Sequence, residues 1–398
     1  MTIYSDGKTT YTDGDSLSGD LGKKVRDGDK DALQKLEEFA TNKDPKQPHS
    51  QARALYELAE VYFNGFCEVN KSLEEALKFL IQAAELNDDL AAIRLGEIYR
   101  DGKYGFKQNG QKALELFLKV AELNEHTGYK LAAEMFREGK GVKADGYKAI
   151  EFYEKLDALD DNQAVMNIAQ IYEEGCGRLR ANGYKALEIY DDIIRQSKYW
   201  IKVHRDFGIE SSKFENYKRA LRHTAQIYLE GKAGVAPDGC KAVEYFSKEI
   251  EYDTEVLNKI AEIYRDGKGG VEPDGYKAIE YLTEIIRRND TDNFLATPIN
   301  AMKMIADIWR EGKAGVTQDG PKAVEYFIKL TESNDSSGLI LCEPDDAFYE
   351  LGKIYEEGCG EIVPDLQRAI DFYQKSAALE NYFAKMKLKE LVASDNDE

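Results

Sequence analysis

The chain is short of positive charge, of organised cysteine and of long apolar runs. Among 398 residues, 54 Lys and Arg face 74 Asp and Glu, a formal net charge of -20. A nucleic-acid binder needs a basic footprint to displace phosphate counterions, so no nucleic-acid partner is expected. No run approaches the roughly 18 to 20 apolar residues of a membrane helix. The start "MTIYSDGKTTYTDGDSLSGD" also lacks the apolar core of a signal peptide. No transmembrane segment is expected, and the cytoplasm is the compartment these absences favour. The five cysteines, Cys67, Cys176, Cys240, Cys342 and Cys359, show no CxxC or Cys/His pattern. Neither a disulfide framework nor a zinc site is indicated. His49, His126, His204 and His223 are scattered, and "DGDKD" at 27–31 lacks the acid spacing and closing Glu of a calcium loop. "DGKTT" at 6–10 lacks the upstream glycine of a phosphate loop. No catalytic residue, metal or cofactor is expected.

What is present is repetition. "VEPDGYKAIEYL" (271–282) has near-copies at 142–153, 179–190, 235–246 and 316–327, and looser ones at 106–117 and 362–373. A second signature, "AEIYRDG" at 261–267, aligns eight glycines: Gly65, Gly102, Gly139, Gly175, Gly231, Gly267, Gly312 and Gly358. Most of their spacings are 36 or 37 residues, and the wider gaps after Gly175, Gly267 and Gly312 hold insertions. Leu257, Ile260, Ala261 and Tyr264 fall at i, i+3, i+4 and i+7, the apolar stripe of a helix, with Gly267 placed as a C-cap. Ala278, Tyr281, Leu282, Ile285 and Ile286 give a second helix of the same period. Each repeat is thus an antiparallel pair, helix A then helix B, whose apolar face only a stack can cover.

Two polar columns run through these pairs. Asp145, Asp238, Asp274, Asp319 and Asp365, with Asn109 and Asn182, occupy the N-cap of helix B. Lys277 and its equivalents follow three residues later, where the helix dipole disfavours a cation. The residue before the glycine is acidic in seven repeats, from Asp101 to Glu357, also at the wrong end of its dipole. A salt bridge between the lysine column and this acid column is the expectation.

The pattern A-x-x-Y-x-x-G, then G-V, then D-x-x-K-A-x-x-(Y/F), at this period resembles the Sel1-like repeat family, cousins of tetratricopeptide repeats. The likeness covers about 51–378, with a glycine in "DGYKA" where the family is freer. It implies an all-α, right-handed α-solenoid of about eight helix-turn-helix repeats plus terminal capping helices. The partition follows: a polar, disordered 1–19; capping helices 20–50; repeats 1–4 at 51–194; a basic insertion 195–223; repeats 5–8 at 224–378; a capping helix 379–393; and an acidic tail 394–398. The resemblance further implies a non-enzymatic adaptor that holds a protein or peptide in a concave groove lined by the A helices. A non-classical route into a host cell is the other localisation it allows.

By that resemblance, helix A residues two and five before the aromatic column would meet the partner. In the first four repeats these are Glu57, Glu60, Arg94, Glu97, Glu134, Asn167 and Gln170. In the last four they are His223, Gln226, Lys259, Glu262, Met304, Asp307, Glu350 and Lys353. The acidity of the chain favours a partner of basic or mixed charge. The insertion, with eight Lys/Arg against three acids, is the second candidate surface through Tyr199, Trp200, Lys202 and Arg205. Trp200, Val203 and Phe207 are helically spaced, so an extended helix packed on the stack is expected there. The alternatives are a small-molecule or cell-wall-fragment binder or hydrolase, and docking of 195–223 on an anionic surface.

Overall fold

The computed structural model describes residues 13–41, 48–251, 253, 255–288, 296–332 and 344–394. Among them the regular structure is helical, with no β-strand. A leading pair, α1 (Asp13–Arg26) and α2 (Lys30–Thr41), precedes the repeats. Repeats 1 to 4 are α3 (Pro48–Asn64) with α4 (Leu73–Glu85), α5 (Asp89–Asp101) with α6 (Gly110–Leu123), α7 (Glu125–Glu138) with α8 (Gly146–Asp157), and α9 (Asn162–Glu174) with α10 (Gly183–Gln196). After α11 (Lys198–Phe207) come repeats 5 and 6, α12 (Ser212–Glu230) with α13 (Gly239–Ser247) and α14 (Glu255–Asp266) with α15 (Gly275–Arg288). Repeats 7 and 8 are α16 (Ala296–Glu311) with α17 (Gly320–Glu332) and α18 (Pro344–Glu357) with α19 (Leu366–Ala378), followed by α20 (Tyr382–Ser394). The chain divides into two compact units, Met1–Asn216 and Tyr217–Glu398, with the border inside α12. Each is an all-α solenoid segment.

The local reasons repeat with the sequence. In repeat 6, Leu257, Ile260, Ala261 and Ile263 are buried, and α14 gives way at Gly267, whose φ of 68° suits glycine. The link then returns so that the Asp274 amide donates to the Tyr264 carbonyl at 2.7 Å. Asp274 caps α15 by accepting from the Lys277 amide at 3.0 Å. Asn109, Asp145, Asn182, Asp238, Asp319 and Asp365 cap their helices in the same way. Each such cap contributes about 1 kcal/mol. In the first repeat, where the Asp element is missing, Ser72 accepts from Glu75 instead. The glycine of "DGYKA" has a steric reason: a Cβ on Gly275 would stand 2.5 Å from Val316 and 2.7 Å from the Lys313 carbonyl, in the link of the next repeat. The backbones of successive repeats therefore meet at this point, where the Gly275 amide donates to the Ala314 carbonyl at 2.7 Å.

Two sequence expectations need correction. Helix α1 starts at Asp13, inside the stretch expected to be disordered, because Ser18, Leu21 and Val25 form one buried stripe and the Ser18 hydroxyl donates to the Ser50 carbonyl at 3.1 Å. The insertion is not one extended helix. Gly208, with φ 65°, ends α11, and residues from Ser212 onward are the first turns of a 19-residue α12. Residues 1–12, the insertions at 289–295 and 333–343 with Cys342, and the tail 395–398 lie outside the described residues.

Candidate interaction surface

The expected bridge between the lysine and acid columns does not form. Lys277 instead lies over the Tyr264 ring, 4.9 Å from its centroid, with its own cap Asp274 at 3.6 Å. Lys112 over Tyr99 (5.0 Å), Lys148 over Phe136 (4.9 Å), Lys241 over Tyr228 (4.8 Å) and Lys322 over Trp309 (4.0 Å) repeat the contact. In the last repeat Arg368 lies 5.5 Å over Tyr355. The ring face under the first turn of helix B supplies the attraction that offsets the helix dipole, about 0.5–1 kcal/mol at an exposed site. The acids find a different cation, the lysine just past the glycine. Lys103 reaches Asp101 at 2.6 Å, Lys140 reaches Glu138 at 2.6 Å and Lys232 reaches Glu230 at 2.8 Å. Lys268 lies 3.7 Å from Asp266, and Lys313 pairs with Glu311. The signal was present as a recurring (D/E)-G-K, but on a linear sequence it looks like link composition.

The A-helix residues singled out above are mostly half-buried members of a polar ladder, and an arginine just after the aromatic ring ties several rungs together. Arg137 donates to Asn167 at 2.9 Å and to Gln170 at 3.1 Å, from one repeat to the next. Arg310 contacts Asp307 at 3.2 Å, Glu311 at 2.7 Å and Glu350, and Lys353 reaches Glu350 at 3.3 Å. Arg100 approaches Glu97 at 3.9 Å and Asp101 at 2.7 Å. The Asp101 carboxyl is held down at about 2, chiefly by its hydrogen bond from Arg100 and then by Lys103. Glu60 pairs with Arg94 at 3.1 Å while Arg94 lies 4.6 Å over Phe63. Glu262 pairs with Lys268 at 2.8 Å, Gln226 bonds to Glu230, and Lys259 lies 5.9 Å over Phe246. Glu134 and His223 are half-buried. Sequence reasoning missed the arginines Arg100, Arg137, Arg265 and Arg310, although each follows its ring directly.

One of the named residues is buried. Glu57 is 5% exposed, because α1 covers it and Arg26 donates to its carboxylate at 2.6 Å. Burial pushes the Glu57 carboxyl up, against the pull of Arg26. Met304 is half-buried like the other rungs, but it packs against the apolar cluster of the second unit that holds Ile305 and Ile308.

The ladder runs within each compact unit, Glu60 to Gln170 in the first and His223 to Lys353 in the second. In the second unit a cleft of about 340 Å3 opens beside Arg310, Lys353, Gln318 and Glu357.

The insertion residues sit together on α11, none of whose residues is buried. Tyr199 is exposed and meets Trp200 edge-on at 5.1 Å, Lys202 and Arg205 face solvent, and Lys213 lies 5.9 Å over Trp200. His204 stacks on Phe214 at 4.0 Å, which fastens α11 to α12. Phe207, expected on the packed side, is 73% exposed because Gly208 turns the chain away just after it. Among the described residues no group of three His, Cys, Asp or Glu is arranged to hold a metal ion, and no helix is long and apolar enough to cross a membrane.

The Sel1 repeat family model matches residues 52–88, 89–125, 129–156, 217–248, 254–290, 299–335 and 346–381. These matches omit α9 and α10, yet that pair keeps the ring Tyr172, the turn at Gly175 and the cap Asn182. A Sel1 repeat protein from Oxalobacter formigenes is similar in structure, at 19% identity and a TM-score of 0.47, over 98% of this chain and 97% of that one. A protective antigen of uropathogenic Escherichia coli with an SLR fold is similar at 21% identity and a TM-score of 0.36, over 91% of this chain and 75% of that one. No curated protein matches.

Proposed function

Because the chain belongs to the Sel1 repeat family, whose members generally mediate protein–protein interaction, we propose that it is a non-catalytic scaffold whose A-helix ladder receives a partner protein or peptide. The observation that carries this reading is the contrast between a uniform apolar core and a ladder that changes from repeat to repeat. The rungs are carboxylate at Glu97, amide at Asn167 and Gln170, ammonium at Lys259, and carboxylate again at Asp307 and Glu350. A merely solvated face needs no such variety at half-buried positions, whereas a segment read residue by residue does. The net charge of -20 favours a partner of basic or mixed charge, drawn in by long-range attraction.

Tyr199, Trp200, Lys202 and Arg205 on α11 form a second contact surface in this reading. The test is to isolate the partner on the immobilised chain and compare backbone hydrogen exchange with and without it. Protection along α5, α7, α9, α14, α16 and α18 is the expected result. Protection confined to the B helices, or absent from every A helix, overturns the assignment.

A further inference from the structure

The cleft in the second unit holds a charge that no described residue answers. Its walls come from Arg310, Glu311 and Gln318 of repeat 7 and from Lys353, Ile354 and Glu357 of repeat 8. Both cations are already engaged. Arg310 lies between Asp307 at 3.2 Å, Glu311 at 2.7 Å and Glu350, while Lys353 meets Glu350 at 3.3 Å. Glu311 in turn is held by Lys313 as well. Glu357 is different: it is exposed, and among the described residues no cation stands within ion-pair distance of it.

The link sequence explains the difference. In repeats 2, 3, 5, 6 and 7 the acid before the glycine is held by the lysine after it. In repeat 8 that place belongs to Cys359, which is buried and directs its Sγ to the Arg310 carbonyl. Glu174 of repeat 4 has lost the lysine too, but Glu357 also has the cleft beside it. Glu357 is the last residue of α18, where the negative end of the helix dipole adds to its own charge and favours a cation. Around the cleft four carboxylates, Asp307, Glu311, Glu350 and Glu357, face three cations, Arg310, Lys313 and Lys353. The volume of about 340 Å3 is at the lower limit of small-ligand pockets and suits one long side chain. Ile354 offers its stem an apolar wall. Gln318 donates its amide to the Arg310 carbonyl at 2.7 Å and keeps its Oε1 for a donor.

We propose that this cleft receives an arginine side chain of the partner, with the guanidinium paired to the Glu357 carboxylate. The inference rests on the reading that the A-helix ladder binds a partner, and it names the chemistry received at the border of repeats 7 and 8. Arginine fits better than lysine because its planar fork of donors serves two acceptors at once, here Glu357 and Gln318. The cations in the wall do not oppose it, since each is already neutralised by its own carboxylates.

The test uses the full chain without its partner. N-acetyl-arginine amide is titrated into a chain labelled at its isoleucine methyls, and the Ile354 methyl is followed by NMR. A saturable shift is expected, with a Kd of about 1–10 mM for so small a ligand. Binding should weaken about fivefold or more with Glu357→Gln, and equally for N-acetyl-citrulline amide, which keeps the shape of arginine without its charge. Glu357→Asp, which keeps the carboxylate, should stay within about twofold. Glu357 is exposed, so neither variant should lower the melting temperature. An Ile354 methyl that does not move, an equal response to the citrulline compound, or binding unchanged by Glu357→Gln overturns the proposal. The ladder reading is tested separately by hydrogen exchange with the partner, so the two fail independently.

Discussion

The links of repeats 2, 3, 5, 6 and 7 differ from those of repeats 4 and 8. The first group reads (D/E)-G-K, and its lysine holds the acid before the glycine. The second reads Tyr-Glu-Glu-Gly-Cys-Gly, at 172–177 and 355–360, and the lysine is gone. In its place Cys176 and Cys359 donate toward the Arg137 and Arg310 carbonyls of the preceding repeat, at 3.4 and 3.5 Å. The residue after the ring changes too, to Glu173 and Glu356, which accept from the Tyr190 and Tyr373 hydroxyls of helix B at 2.9 and 2.6 Å. Where helix B offers Phe117, Leu282 or Phe327 at that depth, an arginine follows the ring instead. Repeat 3 is mixed, with Tyr153 beside Arg137. In repeats 4 and 8 a hydroxyl in the core thus goes with a carboxylate after the ring, while repeat 5 pairs Phe246 with Leu229.

The comparison breaks most severely where a cysteine link meets its neighbour. Gly320 lies directly under the Cys359 carbonyl, so Gly320→Val should cost about 1–3 kcal/mol in urea unfolding. A neutral result would mean that the repeats are not in this register. Next comes Tyr190→Phe, which takes a donor from the buried Glu173 carboxylate and should lose about 1–2 kcal/mol. A double-mutant cycle with Glu173→Gln should give a coupling above about 0.5 kcal/mol, and additivity would dissolve the pairing.

A smaller effect distinguishes the two accounts of the lysine column. Lys277→Met should cost about 0.5–1 kcal/mol, coupled to Tyr264→Leu and additive with Asp266→Asn, because the ring and not the acid is its partner. Coupling to Asp266 would reinstate the salt bridge.

The smallest effect is in acid. Asp101 has a folded pKa of about 2, below its ordinary value of 3.8, so its contribution is complete above the latter and is lost as pH falls toward the former. Asp101→Asn should therefore flatten the melting-temperature decline between about pH 4 and pH 2. An unchanged slope would show that Arg100 and Lys103 do not act on it.

These outcomes also mark what a linear reading reaches. The glycine spacing, the paired helices and the Asp/Asn caps were legible because each is a local signal of a few residues. The lysine–ring contact was not, since Lys277 and Tyr264 become neighbours only after the link folds back and the Asp274 amide finds the Tyr264 carbonyl. The burial of Glu57 depends on α1, more than thirty residues upstream, and the exposure of Phe207 on a break at Gly208 that periodicity alone does not weigh. Of the candidate surface, the variable column is visible in the sequence, but the reach of Arg137 to Asn167 and of Arg310 to Glu350 is not, because those contacts lie between repeats.

The central claim is that the ladder takes the partner. Glu97 and Glu262 have side chains about two-fifths exposed, 43% and 41%, and Glu134 holds the same place in repeat 3. Reversing all three to Lys and measuring partner capture beside the melting temperature tests the claim most directly. Capture should fall by more than about tenfold with the melting temperature held within a few degrees. Undiminished capture by a stably folded triple variant would contradict it and move the site off the A-helix ladder.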